Sequence, residues 1–341
     1  MSKKPPIYAE LARLLAKKSG ERLDGGVASN RTRALAHETM FGFIRALHGA
    51  GLMVQNLRNL NATHAEFLAK SWVEDGLAPA TIRHYKSTLR KLYIWLNKPD
   101  AMVKVETYLK TVDPDRLRVH VAADTSKAWS EHGVDVHQAI MNADRLDPRF
   151  GLMLRMMAAF GLRRSEVLQC KPWIADRGTA LRVFPGEAKG GRPREIPIES
   201  EWQRKILDDV KTCTAKTEDL GWQDMPGGQL IAPGKRLAYC KARYTRCMRT
   251  IGITKSTAGV TGHGLRAEYA ENIAMLSGVT PPTLGGGRDQ MPNDDLQAKL
   301  RHVSENLGHS RTSVTASYYG SFRKEPKKPN HKAMQERTEK L

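Results

Sequence analysis

The sequence predicts a mainly α-helical protein with one small β-sheet, an α+β arrangement in two domains. Apolar residues recur at helical steps in both halves of the chain. One pair of short β-type runs flanks a turn in the second half. The length of 341 residues exceeds the ~200 residues of a typical single domain.

Both halves of the chain are basic. The 55 Lys and Arg residues exceed the 36 Asp and Glu residues by 19. Residues 1–125 carry 20 basic and 12 acidic side chains, a net charge of +8, and the remaining 35 and 24 give +11. An excess spread over both halves favours a polyanionic partner, most simply nucleic acid, over a basic tail on a neutral enzyme.

Several protein classes are excluded by composition and motifs. No apolar run approaches the ~18 residues of a membrane helix, and no apolar signal core follows the basic N-terminus. The four cysteines form no Cys-x-x-Cys pair, which argues against a zinc ribbon and a disulfide scaffold. No P-loop pattern is present. A cytoplasmic protein with reduced thiols is expected.

Four helices are predicted in the first half. They cover residues 7–18, 31–48, 63–74 and a segment that follows the turn at 76–79. Thr63 and Glu66 have the spacing of a capping box that opens the third helix.

The fourth helix combines an apolar face with a basic one. Arg83, Lys86 and Arg90 recur at steps of three and four beside the apolar face. We interpret these cations as DNA-binding residues that contact phosphates. An ordinary solvated face is the alternative.

The second half mixes helices with a hairpin. Helical patterns cover residues 147–160, 201–211, 236–250, 264–277 and 294–307, and the runs 181–184 and 195–198 predict two strands. The domains expected from these patterns are an N-terminal extension (1–29), a helical domain (30–125), a second domain (126–322) and a basic mobile tail (323–341).

Four segments of the second half carry a candidate catalytic constellation. Each segment is a weak signal alone, but their order in a basic chain is specific. The residues are Arg163 with Glu166, Lys189 in the hairpin turn, His263 with Arg266, His309 in a Leu-Gly-His context, and Tyr318 beside Tyr319.

This constellation resembles that of the tyrosine recombinases, the phage-type integrase family. The family signature is Arg, Lys, His-x-x-Arg, His or Trp, and Tyr, and the resemblance extends over residues 30–322. It implies a helical SAM-like core-binding domain followed by a tyrosine-recombinase catalytic domain. It also implies a site-specific recombinase that integrates or excises mobile DNA through a 3′-phosphotyrosyl intermediate, without metal, ATP or cofactor. The expected partners are double-stranded DNA, three further copies in a synaptic tetramer, and accessory DNA-bending proteins, in a nucleoid-associated location.

The residue types suit cleavage of a phosphodiester. Arg163, Arg266 and His309 can donate to the nonbridging oxygens, where negative charge builds during attack. Tyr318 is the candidate nucleophile, nine residues past the last histidine of the signature, and its phosphate ester can be reversed by a second strand. His263 is the candidate base or hydrogen-bonding assistant and Lys189 the candidate acid. Glu166 is expected to support the site by pairing with Arg163.

Two features depart from the family pattern. His263 and His309 lie 46 positions apart, which is longer than in compact members, and the extra length falls at residues 280–295. We expect a tolerated surface loop there; a loop that contacts DNA or a neighbouring subunit is the alternative. Tyr319 adjoins Tyr318, and only one of two adjacent helical residues can face a phosphate.

Alternative functions share parts of this chemistry. A type IB topoisomerase or a telomere resolvase would use the same residue types to relax supercoils or to reseal hairpins. A catalytically inactive DNA-binding protein and a general basic binding module are lower alternatives, because neither accounts for the ordered constellation.

Overall fold

The computed structural model describes residues 5–188, 191–232, 234–309 and 311–322. Contacts divide the chain into two compact units, Met1–His120 and Val121–Leu341. The domain limits drawn above at 29/30 and 125/126 stay a prediction. No helix in the described ranges has the length and apolar character that a membrane crossing requires.

The first unit is helical throughout its named elements. Its helices are α1 (Pro6–Lys18), α2 (Asn30–Gly49), α3 (Ala62–Glu74), α4 (Pro79–Trp95), α5 (Met102–Thr111) and α6 (Pro114–Leu117). Short 3-10 turns at Leu57–Asn59 and Pro99–Ala101 connect them. The core includes Ile7, Leu11 and Leu15 of α1, each 0% exposed, so the N-terminal helix packs into the same core as the other five.

The start of α3 differs from the prediction. Asn61, rather than Thr63, caps the helix, and His64 takes the place expected of Glu66. The Asn61 side chain accepts hydrogen bonds from the backbone N–H groups of Thr63 and His64, at 3.0 and 3.2 Å. The capping-box motif was therefore present but lay two residues earlier, because asparagine caps helices as well as threonine does.

The second unit consists mostly of helices, together with one β-hairpin. Its helices are α7 (Val136–Leu146), α8 (Pro148–Phe160), α9 (Arg164–Gln169), α10 (Pro172–Ala175), α11 (Glu201–Thr212), α12 (Arg236–Thr250), α13 (Gly264–Leu276), α14 (Asn293–Asn306) and α15 (Thr312–Tyr319). Helix α13 is buried without interruption from Gly264 to Glu271, as expected for a central helix. It contacts α8, α14 and α15, and thereby brings distant segments to its N-terminal end.

The hairpin consists of β1 (Ala180–Val183) and β2 (Arg194–Pro197), paired antiparallel. Each strand begins one residue earlier than predicted. Leu181 and Ile196 face each other across the pair and are both 0% exposed. The alternation of buried and outward side chains places Arg194 on the same inward face as Ile196.

Candidate active site

Five of the six predicted catalytic residues lie in one cluster of the second unit. They are Arg163, His263, Arg266, His309 and Tyr318, joined by direct side-chain hydrogen bonds. The sixth, Lys189, lies outside the described residues. The cluster assembles residues that are up to 155 positions apart in sequence (163 to 318).

Two glycines turn the chain into this cluster. Gly161 ends α8 with φ of +57°, and a Cβ there would lie 2.3 Å from the ring of Tyr269. Gly308 follows α14 with φ of +65°, and a Cβ there would lie 2.5 Å from the Arg194 side chain. Both positions therefore exclude other residues through backbone conformation and close approach. The glycines explain why Arg163 and His309 follow Gly-Leu and Leu-Gly pairs.

Arg266 is the buried centre of the site. It is 0% exposed and anchored by the main-chain carbonyls of Gly161 and Leu307, which accept from its two terminal nitrogens. Its Nε donates to the phenol oxygen of Tyr318 at 3.0 Å. Burial lowers the pKa of this guanidinium to about 10, so it remains positively charged at neutral pH.

The Tyr318 hydroxyl lies between a cation and an imidazole. Besides the bond from Arg266, it lies 3.1 Å from Nε2 of His263. The ring stacks on His309 with centroids 5.6 Å apart and an interplanar angle of 19°. A neutral His263 can accept the phenol proton at this distance, which is the geometry of a base beside a nucleophile.

Tyr319 points elsewhere. Tyr319 is 2% exposed, and its ring packs against that of Phe322, with ring centroids 6.3 Å apart. Burial raises the pKa of its phenol, which disfavours a phenolate. The two adjacent tyrosines thus occupy different environments, as helical geometry requires.

Glu166 binds two arginines, of which the sequence predicted one. Its carboxylate accepts from Nη1 of Arg163 at 2.7 Å and from both terminal nitrogens of Arg194 at 3.0 and 2.8 Å. Burial raises the pKa of this carboxyl, but the hydrogen bonds and charge of Arg194 and the charge of Arg163 outweigh it and lower the pKa to about 2. Glu166 is therefore ionised and fixes both cations.

Arg194 was missed from sequence. Its side chain is 5% exposed and also donates to the carbonyl of Asn306 at 3.2 Å. The period-two alternation of the predicted strand was the available signal, since it places Arg194 and Ile196 on one face.

His309 is oriented by a chain of hydroxyls. Its Nε2 lies 3.3 Å from Nη2 of Arg163 and 3.4 Å from Nη2 of Arg266. Its Nδ1 lies 2.8 Å from the hydroxyl of Thr315, which donates to Ser304 at 2.7 Å. Because guanidinium groups only donate, Nε2 accepts and the Nδ1–H group donates to Thr315. Thr315 and Ser304 were also missed, since only the fold brings them to the imidazole.

Both histidines of the site are weak bases in this arrangement. Burial, together with the charges of Arg266 and Arg163, lowers the pKa of His309 to about 3. The same causes, burial first, lower the pKa of His263 to about 4, although this residue exposes more of its surface to solvent. Both rings are neutral at pH 7. A bound anion that offsets the two guanidinium charges would raise both pKa values.

The cations predicted on α4 lie in the first unit. Arg90 and Lys86 both pair with Glu106 of α5, with Lys86 at 3.8 Å. Arg83 is exposed. Two of these three cations therefore have an acidic partner within their own unit.

The second-unit cluster is suited to binding a singly charged phosphodiester. The Arg266 guanidinium and the His263 imidazole contact the phenol oxygen that would attack it, and His309 lies between the guanidinium groups of Arg266 and Arg163. Over the described ranges, no group of three or more His, Cys, Asp or Glu residues is arranged to hold a metal ion.

Known proteins resemble this chain in sequence pattern and in fold. The family model described as Integrase matches residues 117–272. No curated protein matches the sequence.

Solved structures match over most of the chain. A lambda integrase dimer bound to a COC′ core site matches with a TM-score of 0.58 and 15% identity, over 93% of this chain and 77% of that one. A lambda integrase tetramer bound to a Holliday junction gives 0.55 and 15%, over 94% and 79%. The Tn1549 transposon integrase in complex with a circular intermediate DNA gives 0.56 and 15%, over 97% and 99%. At this identity these likenesses establish the fold.

The fold is similar to that of the lambda and Tn1549 integrases. The Integrase family model matches residues 117–272, somewhat less than half of the chain.

Proposed function

We propose that this chain is a site-specific tyrosine recombinase, a DNA strand transferase that cleaves and rejoins DNA through a 3′-phosphotyrosyl intermediate. The observation that carries the proposal is the position of the Tyr318 hydroxyl, 3.0 Å from Arg266 and 3.1 Å from His263. The match of the Integrase family model to residues 117–272 supports the same activity.

The first step is attack of the Tyr318 oxygen on the scissile phosphorus. The phenol proton passes to Nε2 of His263, and the bond from phosphorus to the 5′ oxygen breaks. Lys189 supplies the proton to the leaving 5′ oxygen. The products are a 3′-phosphotyrosyl ester and a free 5′ hydroxyl. A 5′ hydroxyl from another strand reverses the step, so the bond energy is conserved.

The cations bind the phosphate during this exchange. Arg163 donates to the nonbridging oxygens, and Arg266 stabilises the charge beside the attacking oxygen. Nε2 of His309 donates as well once the phosphate charge has raised the pKa of this imidazole and protonated it. Glu166, which is itself bound by Arg194, holds Arg163 in place. A bound phosphate raises the pKa of His263 from its low value, because its charge opposes the two guanidinium groups. The base therefore gains strength when substrate is present.

The partner is double-stranded DNA, and the assembly on DNA is a tetramer. Two duplexes need four strand cleavages, one from each copy. The lambda integrase tetramer bound to a Holliday junction supports this number. Exposed cations such as Arg83 contribute contacts to the DNA backbone, and the protein acts in the cytoplasm at the nucleoid.

Trapping of the covalent adduct tests the proposal. The protein is incubated with a pool of nicked half-site duplexes of varied sequence, so that the cleaved fragment diffuses away and the adduct accumulates. Sequencing of the attached DNA and mapping of the modified peptide should identify a 3′ linkage to Tyr318. Failure to form any adduct would contradict the proposal. Relaxation of supercoiled DNA without two-site recombination would instead favour a topoisomerase.

A further inference from the structure

Helix α15, which carries the nucleophile, is only eight residues long. A helix this short is marginal by itself, and its last four carbonyls lack partners within the helix. Tyr318 belongs to this final turn. The contacts of that turn therefore determine where the phenol lies.

Donors from outside the helix cap three of these four carbonyls. The backbone N–H of Ala123 donates to the carbonyl of Ala316 at 2.8 Å, and this carbonyl also accepts from the backbone N–H of Gly320 at 3.0 Å. Nζ of Lys127 donates to the carbonyl of Ser317 at 3.1 Å. The hydroxyl of Thr283 donates to the carbonyl of Tyr319 at 3.1 Å. We call these three donors the carbonyl clamp.

A buried carboxylate joins the two segments that form the clamp. Glu271 of α13 is 0% exposed. One of its oxygens accepts from the Ser126 hydroxyl at 3.0 Å, and the other from the Thr283 hydroxyl at 2.8 Å. Thr283 thus shares its proton between Glu271 and the end of α15. Arg266 lies on α13 as well. The same helix therefore positions the guanidinium that contacts the phenol and, through Glu271, the carbonyl clamp.

The loop that carries Thr283 has a defined shape. The Gln290 side chain accepts from the backbone N–H of Thr280 at 2.7 Å and donates to the Thr280 carbonyl at 3.1 Å. A Cβ at Gly286 would lie 1.8 Å from that carbonyl, so the loop closes only around glycine. Gly320, at the end of α15, has φ of +91° and lies close to Pro282. Within the 280–295 segment that was expected to be a tolerated surface loop, the stretch around Pro282 and Thr283 therefore packs against the nucleophile helix, whereas residues 288–290 and 292–295 are exposed.

We propose that Thr283 and Glu271 are positioning residues for Tyr318, and that the 280–292 segment serves to hold the nucleophile helix in its own subunit's site. The inference rests on the proposed function. Its physical basis is the tight geometry at the phenol, where a displacement of ~1 Å can cost ~100-fold in rate. Loss of one clamp donor frees part of the last turn without altering a group that touches the phosphate.

Thr283→Val tests this role, because valine keeps the shape and removes the hydroxyl. Thr283→Ser keeps the hydroxyl, and Ser277→Ala is the matched control, since Ser277 caps the carbonyl of Ile273 at the end of α13 rather than α15. Two readouts are needed on the full chain. Hydrogen exchange reports the protection of residues 312–319, and single-turnover adduct formation at saturating DNA reports the positioning of the phenol.

Thr283→Val should speed exchange in α15 and slow adduct formation about tenfold, with DNA affinity unchanged. Thr283→Ser should restore both, and Ser277→Ala should change neither. A substrate with sulfur in place of the leaving 5′ oxygen should not rescue Thr283→Val, because its defect precedes departure of the leaving group. The same substrate should rescue Lys189→Ala.

The outcomes separate the two proposals. Wild-type protein that forms no adduct contradicts the proposed function, whatever the exchange data show. Wild-type protein that forms the adduct, with Thr283→Val matching it in both exchange and rate, overturns the clamp. Slower adduct formation in Thr283→Val that the sulfur substrate rescues would also overturn it, because the hydroxyl would then serve proton transfer.

Discussion

The basic side chains of α4 and those around Tyr318 differ most in their exposure to solvent. Lys86 and Arg90 expose 36% and 49% of their side chains and share the carboxylate of Glu106. Arg194 exposes 5% of its side chain, and Arg266 is 0% exposed. Charges in water are screened within about 10 Å at moderate salt, whereas buried charges interact strongly. The net charge of the chain thus indicates only that the partner is a polyanion. The burial of Arg194 and Arg266 identifies the cations whose charge is strong enough to act at a single phosphate.

The largest expected effect concerns the two adjacent tyrosines. Tyr318→Phe should abolish the covalent adduct, because phenylalanine removes the oxygen between Arg266 and His263. Tyr319→Phe should retain the adduct, since its ring packs in the core. Gel analysis of the trapped protein–DNA complex measures both. An adduct on Tyr318→Phe protein would show that another residue attacks.

The second effect separates a buried cation from a partly exposed one. Arg266→Lys should slow adduct formation about 100- to 1,000-fold, because one ammonium cannot replace a guanidinium that orients the phenol. Arg266→Lys should also lower the free energy of unfolding by about 1–3 kcal/mol, because the carbonyls of Gly161 and Leu307 lose the guanidinium donors that they accept from. Single-turnover rates and denaturant unfolding measure the two quantities.

Arg163→Lys is the comparison for that change. Its side chain is 19% exposed, and its hydrogen bonds go to Glu166 and His309. The adduct rate should fall to a similar extent, while stability should fall less than in Arg266→Lys. Equal losses of stability in the two variants would contradict the assignment of Arg266 as the anchored centre.

The sequence predicted the residues whose roles depend on type and order. Arg163, His263 and Arg266 lie in short motifs with fixed spacing, and the helical periods located most of the elements that carry them. The residues it missed act through contacts between distant segments. Arg194 reaches Glu166 from a strand 28 positions away, and Thr283 reaches Tyr319 across 36 positions. No local pattern specifies such a contact, because it depends on how α13 packs against its neighbours.

The third effect follows from the neutral histidines of the site. His309 has a pKa of about 3 in the fold and 6.5 as its ordinary value. An unfolded chain therefore binds a proton below pH 6.5 that the folded chain rejects. The stability that His309 contributes is fully present above pH 6.5 and is lost as pH falls toward 3. Glu166, with its pKa lowered from 4.5, loses its contribution only below about pH 4.5.

Between pH 6.5 and 4.5, the change of the unfolding free energy with pH thus comes from His309 and His263 and not from Glu166. His309→Asn should flatten the decline in unfolding free energy there by at most ~1.4 kcal/mol per pH unit. Denaturant unfolding at several pH values measures it. His263 contributes to the same window, so His263→Asn should flatten the curve as well. Identical curves for wild type and both variants would mean that the histidines titrate normally in the fold.

The smallest effect concerns the exposed cations of α4. Each phosphate contact adds about 0.9 to the slope of log affinity against log salt concentration. Arg83→Ala should reduce the slope by about this amount if Arg83 contacts DNA. Arg90→Ala should reduce the slope less, because Glu106 already neutralises part of that charge. Glu106→Gln should raise the affinity for DNA by freeing Arg90 and Lys86.

Arg22→Ala serves as the control, because it removes an exposed cation that pairs with Asp24 outside α4. Equal slopes for Arg83→Ala, Arg22→Ala and wild type would assign the α4 cations to an ordinary solvated face, and DNA binding would then rest on other cations of the chain.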